Sequence, residues 1–373
     1  MSLGTPDHDF NDLASRMTTQ ELGQGLQAWR RRLRRWSGAF ALTSIVTLVL
    51  FEVAIRIFMP QEPSWLVIYE RHPRLPFYSL AHDKHSVVDT GESRWEVHTD
   101  EHGFRVGRQR TGKVERPVAL WLGDSFAFGQ GVDFEDSWIG LLDADPGARF
   151  HHVNSAVGGY GPDQYAAILD DLLQQGMQPK LVLAATFAGN DFHDTIWDKN
   201  LPVVDGVLGS DGGVKAVLKQ NLHAYRLLSR VYHKMSGEIP RQVSAFKELG
   251  DPAAWKQEPL REGERRYEQA FARIAATCSS HGLPFVVLVL PSISMVEATR
   301  IHGEASEREV QDSRAALVRA KEIFERLGVR SLDATAVLSS QETAKVFFPF
   351  DQHLTPLGNR LVAEFLRGSL DEL

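Results

Sequence analysis

Four short blocks of the 373-residue chain hold residue types that can carry nucleophilic chemistry. The first is Leu122-Gly123-Asp124-Ser125-Phe126, a glycine that permits a tight turn followed by a serine placed to stand exposed. A serine hydroxyl is a poor nucleophile until an imidazole accepts its proton. Near the other end of the chain Asp351-Gln352-His353 offers such a base, with a carboxylate to orient it, just ahead of Pro356. Between them lies Asn154-Ser-Ala-Val-Gly158-Gly159-Tyr160-Gly161, where three glycines in four positions let backbone N–H groups approach a ligand. Gly189-Asn190-Asp191 adds an asparagine whose amide can donate into a site. Each block alone also has a plain structural reading. Ser125 is not in a G-x-S-x-G elbow, because Ala127 stands two residues past it. Glycines make loops, Asn-Asp is a common turn pair, and Asp351 or Thr355 ahead of Pro356 suits a helix cap. A metal role for Asp351 and His353 has no further ligand cluster behind it, so neither metal nor cofactor is expected.

The elements that must position these blocks follow from the apolar pattern. Residues 117–122, 150–154, 180–187, 285–290 and 329–332 read as strands, the third buried on both faces by its continuous apolarity. Helices are expected over 135–142, 162–175, 261–280, 306–327 and from Pro356 to about Arg367. Tyr165, Ile168, Leu169, Leu172 and Leu173 share one face of the helix that Pro162 starts and Gly176 stops. This alternation implies an α/β fold, a parallel sheet covered by helices on both faces. Ligands of such sheets bind outside the carboxyl ends of the strands, where the first three blocks fall. Residues 192–260 break the rhythm with glycine-rich loops and a helical piece near 221–234, and read as an insertion capping the site.

Ahead of this domain the chain is of another kind. A polar stretch is followed by Arg30, Arg31, Arg32, Arg34 and Arg35, then by an apolar run from Gly38 through Phe51 that carries no charge. Extended through Phe58 the run reaches roughly 20 residues, enough for ~30 Å of hydrocarbon. Glu52 and Arg56 interrupt its outer end, four apart, so they share a helix face and can pair. Phe58-Met-Pro-Gln-Glu-Pro offers no small-x-small cleavage site. The expected organisation is a cytoplasmic tail (1–36), a signal-anchor transmembrane helix (37–59), an irregular juxtamembrane segment with a few strands (60–116), and the catalytic domain (117–373). The positive-inside rule holds the arginines in the cytoplasm and sends the rest across an inner membrane to the periplasmic side.

Composition excludes other classes. A formal net charge of −7 argues against bulk nucleic-acid binding. A single cysteine, Cys278, excludes an intramolecular disulfide framework or a cysteine-rich metal site. Cys278 reads as a packing residue and His151-His152 as a pair without metal partners. Trp197, Tyr225, Tyr232 and Trp255 either line a substrate groove or form the insertion's own small core.

In order and spacing the four blocks resemble the SGNH hydrolases, the GDSL-type esterases and lipases, and in particular their membrane-anchored bacterial members. The resemblance spans about residues 117–368 and implies a flavodoxin-like three-layer α/β/α sandwich with a central parallel sheet. It puts Ser125 in the nucleophile's place, His353 as base and Asp351 as acid. The oxyanion donors it implies are the backbone N–H groups of Ser125 and Gly159 and the Asn190 side chain. The usual spacing is Asp-x-x-His; Asp351-Gln352-His353 is the tighter form similar to membrane-linked and polysaccharide-acetylating relatives. Gly103-Phe104-Arg105 resembles an element that precedes the domain in anchored members. The implied activity is hydrolysis of O-acetyl or short acyl esters of an envelope carbohydrate or lipid through an acyl-serine. Two alternatives are O-acyl transfer to an extracytoplasmic polysaccharide and a non-catalytic envelope scaffold. The expected partners are an acyl-ester substrate and the membrane, with no nucleic acid.

Overall fold

The computed structural model describes residues 19–109, 115–197, 199–209, 217–218, 221–236, 254–300 and 307–370. The first 18 residues of the expected tail lie outside them, as do residues 110–114 and, within the expected insertion, 210–216, 219–220 and 237–253.

The chain divides into two units. The first, Met1–Gln61 with Leu222–Leu227, is dominated by helix α1 (Thr19–Phe58). Its 40 residues correspond to ~60 Å of helix. Within it, Gln27–Phe58 is long and apolar enough to cross a membrane, and Phe40, Leu42, Ile45, Leu48 and Leu50 are exposed. Glu52 and Arg56 pair at 2.6 Å, as their spacing predicts. The Glu52 carboxylate also accepts the backbone N–H groups of His223 and Ala224, and the Arg226 guanidinium donates to the Gln61 carbonyl.

The second unit, Glu62–Asn221 and Leu228–Leu373, holds the sheet. Its strands are β1 (Tyr69–Arg71), β2 (Tyr78–Leu80), β3 (His85–Asp89), β4 (Arg94–Thr99), β5 (Arg105–Val106), β6 (Val118–Gly123), β7 (His151–Asn154), β8 (Leu181–Phe187), β9 (Val203–Val204), β10 (Val207–Leu208), β11 (Phe285–Leu290) and β12 (Arg330–Asp333). Eight of them form one sheet in the order β12-β11-β8-β6-β7-β5-β4-β3. Strands β12, β11, β8, β6 and β7 are parallel, and their order relative to the chain is the flavodoxin-like 2-1-3-4-5. All seven residues of β8 are buried, because helices cover the sheet on both sides and both rows of side chains must be apolar.

The helices are α2 (Ser125–Phe128), α3 (Trp138–Asp143), α4 (Pro162–Gln174), α5 (Asp191–Asp194), α6 (His223–Ser236), α7 (Leu260–Ser280), α8 (Ile293–Arg300), α9 (Glu307–Leu327), α10 (Thr335–Leu338), α11 (Thr343–Val346) and α12 (Pro356–Leu370). Helix α3 packs with α12, while α4 packs with α7 and α7 with α9. Right-handed crossovers put these two sets on opposite faces of the sheet. Gly161 caps α4, Pro162 starts it, and Tyr165, Ile168 and Leu169 turn inward as their spacing predicts. The fold class is thus the expected three-layer α/β/α arrangement.

Residues 60–116 do more than join two parts. Strands β5, β4 and β3 extend the parallel sheet antiparallel past β7, with Arg105 opposite Asn154, Thr99 opposite Arg105 and His85 opposite His98. Every second residue of β4 is buried, starting with Trp95, which is the pattern of a strand with one covered face. The expected short helix at 135–142 is a 3-10 turn (Phe134–Asp136) followed by α3, which Ser137 caps by accepting the Gly140 N–H.

Candidate active site

Ser125 opens helix α2 directly after β6, the strand between β8 and β7. The turn demands glycine at 123, where a Cβ would stand 2.4 Å from the Ala127 methyl and 3.2 Å from the Ala185 carbonyl oxygen. Asp124 caps α2 by accepting the Phe126 N–H at 2.8 Å. It is fully buried, and burial pushes its carboxyl up to about 6, against the lowering influence of that N–H and of His353.

His353 reaches Ser125 from the other end of the chain, with Nε2 2.7 Å from Oγ. Its Nδ1 faces the Asp351 carboxylate oxygen Oδ2 at 3.2 Å and the Asp351 carbonyl at 3.1 Å. Both are acceptors, so the proton belongs on Nδ1 and Nε2 is free to accept from the serine. Burial on its own lowers the His353 pKa, but the Asp351 charge and hydrogen bond outweigh it, with a smaller share from Asp124, and the value ends above the ordinary 6.5. For Asp351 burial acts upward, and His353 with the Gln130 amide brings the carboxyl below its ordinary 3.8.

The Asp-x-His spacing has a backbone explanation. Phe347 and Leu354 bridge antiparallel, the Phe348 N–H donates to the His353 carbonyl, and the Gln352 N–H donates to the Phe348 carbonyl. Gln352 closes this tight loop at φ +63°, in the left-handed region. That reversal lets residues 351 and 353 turn their side chains toward each other across a single residue. The imidazole packs at a tilt against Phe126, ring centroids 4.6 Å apart, and Phe126 in turn stacks on Phe187 at 4.0 Å.

Gly159 lines the same cavity at φ +82°. A Cβ on it would stand 2.6 Å from the Tyr78 hydroxyl, which donates to the Gly158 carbonyl. Asn190 lines the cavity as well, just ahead of α5. The cavity, of about 640 Å³, therefore brings Ser125, Gly159, Asn190, Asp351 and His353 together, as the blocks predict. Asn154 does not line it. Its amide donates to the Ala127 carbonyl and its Oδ1 accepts the Ala156 N–H, which ties the second block to the nucleophile's helix.

Several residues that hold the site carry no sequence pattern. The Gln130 amide donates to Asp351 Oδ1 at 3.0 Å, while its own N–H donates to the Ser125 carbonyl, so one residue grips both nucleophile and acid. Glu92, in the turn between β3 and β4, accepts the N–H groups of Phe350 and Asp351. Arg105 is buried and donates to the carbonyls of Phe128, Gly129 and Val132, with its guanidinium over Phe128 and Trp95. Burial pushes this arginine down to about 9. Asp191 accepts from Thr186 Oγ1 at 2.6 Å and from the Phe187 N–H, fastening the third block to β8; burial raises its carboxyl well above the ordinary range.

Of the insertion's aromatics, Trp197 lines the cavity and is 59% exposed, near Asp194 and Lys199, which pair at 2.6 Å. Trp255 is buried against Phe192 and belongs to the core. Cys278 is buried and its thiol pushed up to about 12, an inert packing residue. His151 pairs with Asp143 and His152 accepts from the Trp121 indole, so both have structural partners.

The fold is an α/β sheet of strand order 2-1-3-4-5 with a Ser–His–Asp constellation beside the carboxyl ends of its strands. Residues 253–372 match the family described as the SGNH hydrolase-like domain of the acetyltransferase AlgX. That stretch is thus similar to an SGNH hydrolase-like domain, in line with the resemblance of the blocks. No curated protein matches the chain. Among solved structures it is similar to TesA, at 15% identity over 68% of this chain and 98% of that one, with a TM-score of 0.39. It is similar at 10% identity, over 69% and 99% of the two chains and with a TM-score of 0.40, to a G-D-S-L lipolytic protein from Veillonella parvula. An acetyl xylan esterase is likewise similar, at 13% identity over 68% and 98%, with a TM-score of 0.39.

Proposed function

We propose that this chain is a serine esterase that hydrolyses O-acetyl or other short acyl esters of an envelope carbohydrate or lipid. The observation that carries the proposal is the 2.7 Å approach of His353 Nε2 to Ser125 Oγ, with Nδ1 turned to Asp351. His353 takes the hydroxyl proton as Ser125 attacks the ester carbonyl, and Asp351 steadies the imidazolium. The oxyanion is received by the N–H groups of Ser125 and Gly159 and by the Asn190 amide, each worth on the order of 3 kcal/mol. His353 then protonates the departing alcohol, leaving an acyl-serine that water, activated by the same imidazole, hydrolyses. Ser125→Ala is expected to abolish labelling by a fluorophosphonate and to lower turnover of p-nitrophenyl acetate by ~10⁵-fold or more. Wild-type-like turnover in that variant would overturn the assignment. A wild type that neither labels nor turns over the ester, yet binds a glycan, is the outcome that a scaffold role requires.

A second reading, transfer of the acyl group to a polysaccharide hydroxyl, draws on the family match, which is named for an acetyltransferase. The two differ only in the acceptor. Loss of acetyl groups from the surface polymer on overexpression supports hydrolysis, and gain supports transfer.

For location, we infer a single-pass anchor with residues 30–35 on the cytoplasmic side and the catalytic unit outside. The exposed apolar stretch of α1 and the arginines at its start support this. Protease added to spheroplasts is expected to degrade the catalytic unit, and protection of that unit would reverse the orientation.

A further inference from the structure

The β3–β4 hairpin carries a cluster that the catalytic reading does not use. His85 and His98 face each other across the two strands in direct register, and Glu96 lies two residues along β4 on the same face. The two imidazoles stack with centroids 4.4 Å apart and planes within 10°, so the half-exposed His85 ring must tilt out of the stack for both Nε2 lone pairs to meet at one ion. Glu96 Oε2 stands 3.3 Å from His85 Nε2 and 3.5 Å from His98 Nε2. The three ligand atoms all lie within 4.8 Å of one another.

These distances have a meaning beyond ion pairing. Zinc binds imidazole nitrogen and carboxylate oxygen at about 2.0–2.2 Å, and a tetrahedron of that size has edges of ~3.3–3.5 Å. The two N···O separations are already those edges. Hydrogen bonding alone accounts less well for the arrangement. The His98 Nε2 is excluded from solvent yet makes no hydrogen bond, although the Glu96 carboxylate stands 3.5 Å away. A cation between the three atoms would supply its missing partner.

The surroundings suit such an ion. The other carboxylate oxygen, Oε1, is engaged separately by Arg108 at 3.3 Å, and that guanidinium is shared with Asp133 at 2.9 Å. Asp133 also accepts the Glu96 backbone N–H at 2.7 Å. Oε2 is thereby left to the imidazoles while its carboxylate is held in orientation, the outer-shell support that metal-ligating carboxylates require. Arg94 lies farther off, at 3.9 Å from Oε1. The two arginines and two carboxylates balance, so a dication meets no net positive field.

We propose that His85, Glu96 and His98 form a binding site for a borderline divalent cation of the zinc type, with a fourth position open to water. Such an ion staples β3, the edge strand of the large sheet, onto β4. His₂Glu donors favour zinc, nickel or copper over magnesium or calcium, which prefer all-oxygen shells.

The test titrates ZnCl₂ into the purified full-length chain, without a polyhistidine tag and after chelator treatment, by isothermal titration calorimetry. One equivalent is expected to bind saturably with a micromolar or tighter Kd, and MgCl₂ not to compete. His85→Ala and His98→Ala are each expected to weaken that affinity at least tenfold, and Glu96→Gln to weaken it as well, while His353→Ala leaves it unchanged. Zinc is also expected to raise the Tm of the wild type but not that of the His85→Ala/His98→Ala double variant, whose metal-free Tm reports on folding. Absence of saturable uptake, or equal uptake by a folded double variant, would overturn the proposal.

Discussion

Around Ser125 the decisive atoms belong to a few residues whose charges can be changed one at a time. The His353 imidazole titrates above the ordinary histidine value because Asp351 outweighs its burial. The acid limb of kcat/KM, which reports the neutral imidazole in the free enzyme, is therefore expected above pH 6.5. Asp351→Asn removes the charge and leaves burial dominant, so the limb should move to lower pH while the plateau falls; a limb that stays in place contradicts this assignment. The same pair has a stability signature. The raised His353 value contributes stability that is lost as pH rises through it, and the lowered Asp351 value contributes stability lost as pH falls through it. The Tm gap between wild type and Asp351→Asn should thus be widest between those two values and narrow on either side. Gly159→Ala meets two obstacles, a positive φ and the Tyr78 hydroxyl 2.6 Å from the new methyl. The left-handed conformation alone costs about 1–2 kcal/mol. Adding Tyr78→Phe should recover only the steric part, measured as partial recovery of the denaturation midpoint.

Loops and strands then decide whether those residues meet. The 348–353 loop turns on Gln352, a residue without glycine's freedom held at φ +63°. Gln352→Gly should keep activity, whereas Gln352→Val, β-branched in a left-handed position, should lose it together with stability. Arg105→Ala leaves three buried carbonyls without their donor, and a loss on the order of 3 kcal/mol or more is expected in urea unfolding. The parallel strands were legible because burial on both faces writes them as apolar runs, Leu181–Phe187 above all. Strands β3 to β5 were only partly legible. Ser93 to His98 reads as strand-like, but nothing local says that Arg105 will pair with Asn154. The four blocks were legible from their order, since the first three sit where a strand must end and the fourth just ahead of the last helix. Gln130 and Glu92 were not, because a lone polar residue in a turn has no periodicity and finds its role only when a distant loop arrives. The His85–His98 pair was hidden in the same way, thirteen positions apart in sequence and opposite in register.

At the scale of the whole molecule, the apolar helix and the candidate site fall in different units. A chain starting at Glu62 should leave the membrane fraction and still label at Ser125, read by fractionation and fluorophosphonate; failure to label would mean the catalytic unit depends on residues before it. Ser125 and His353 are 228 positions apart, and the loop that carries the base lies between α11 and the last helix. At about 5–20 residues per second, synthesis separates the nucleophile from its base by roughly 11–46 s. Until then Asp124 and β6 can form, but no imidazole is present to accept the proton. Through that interval of synthesis, the serine is an ordinary alcohol. The acyl chemistry switches on only with the arrival of the final strand and helix, so an interrupted chain is harmless toward any ester it passes.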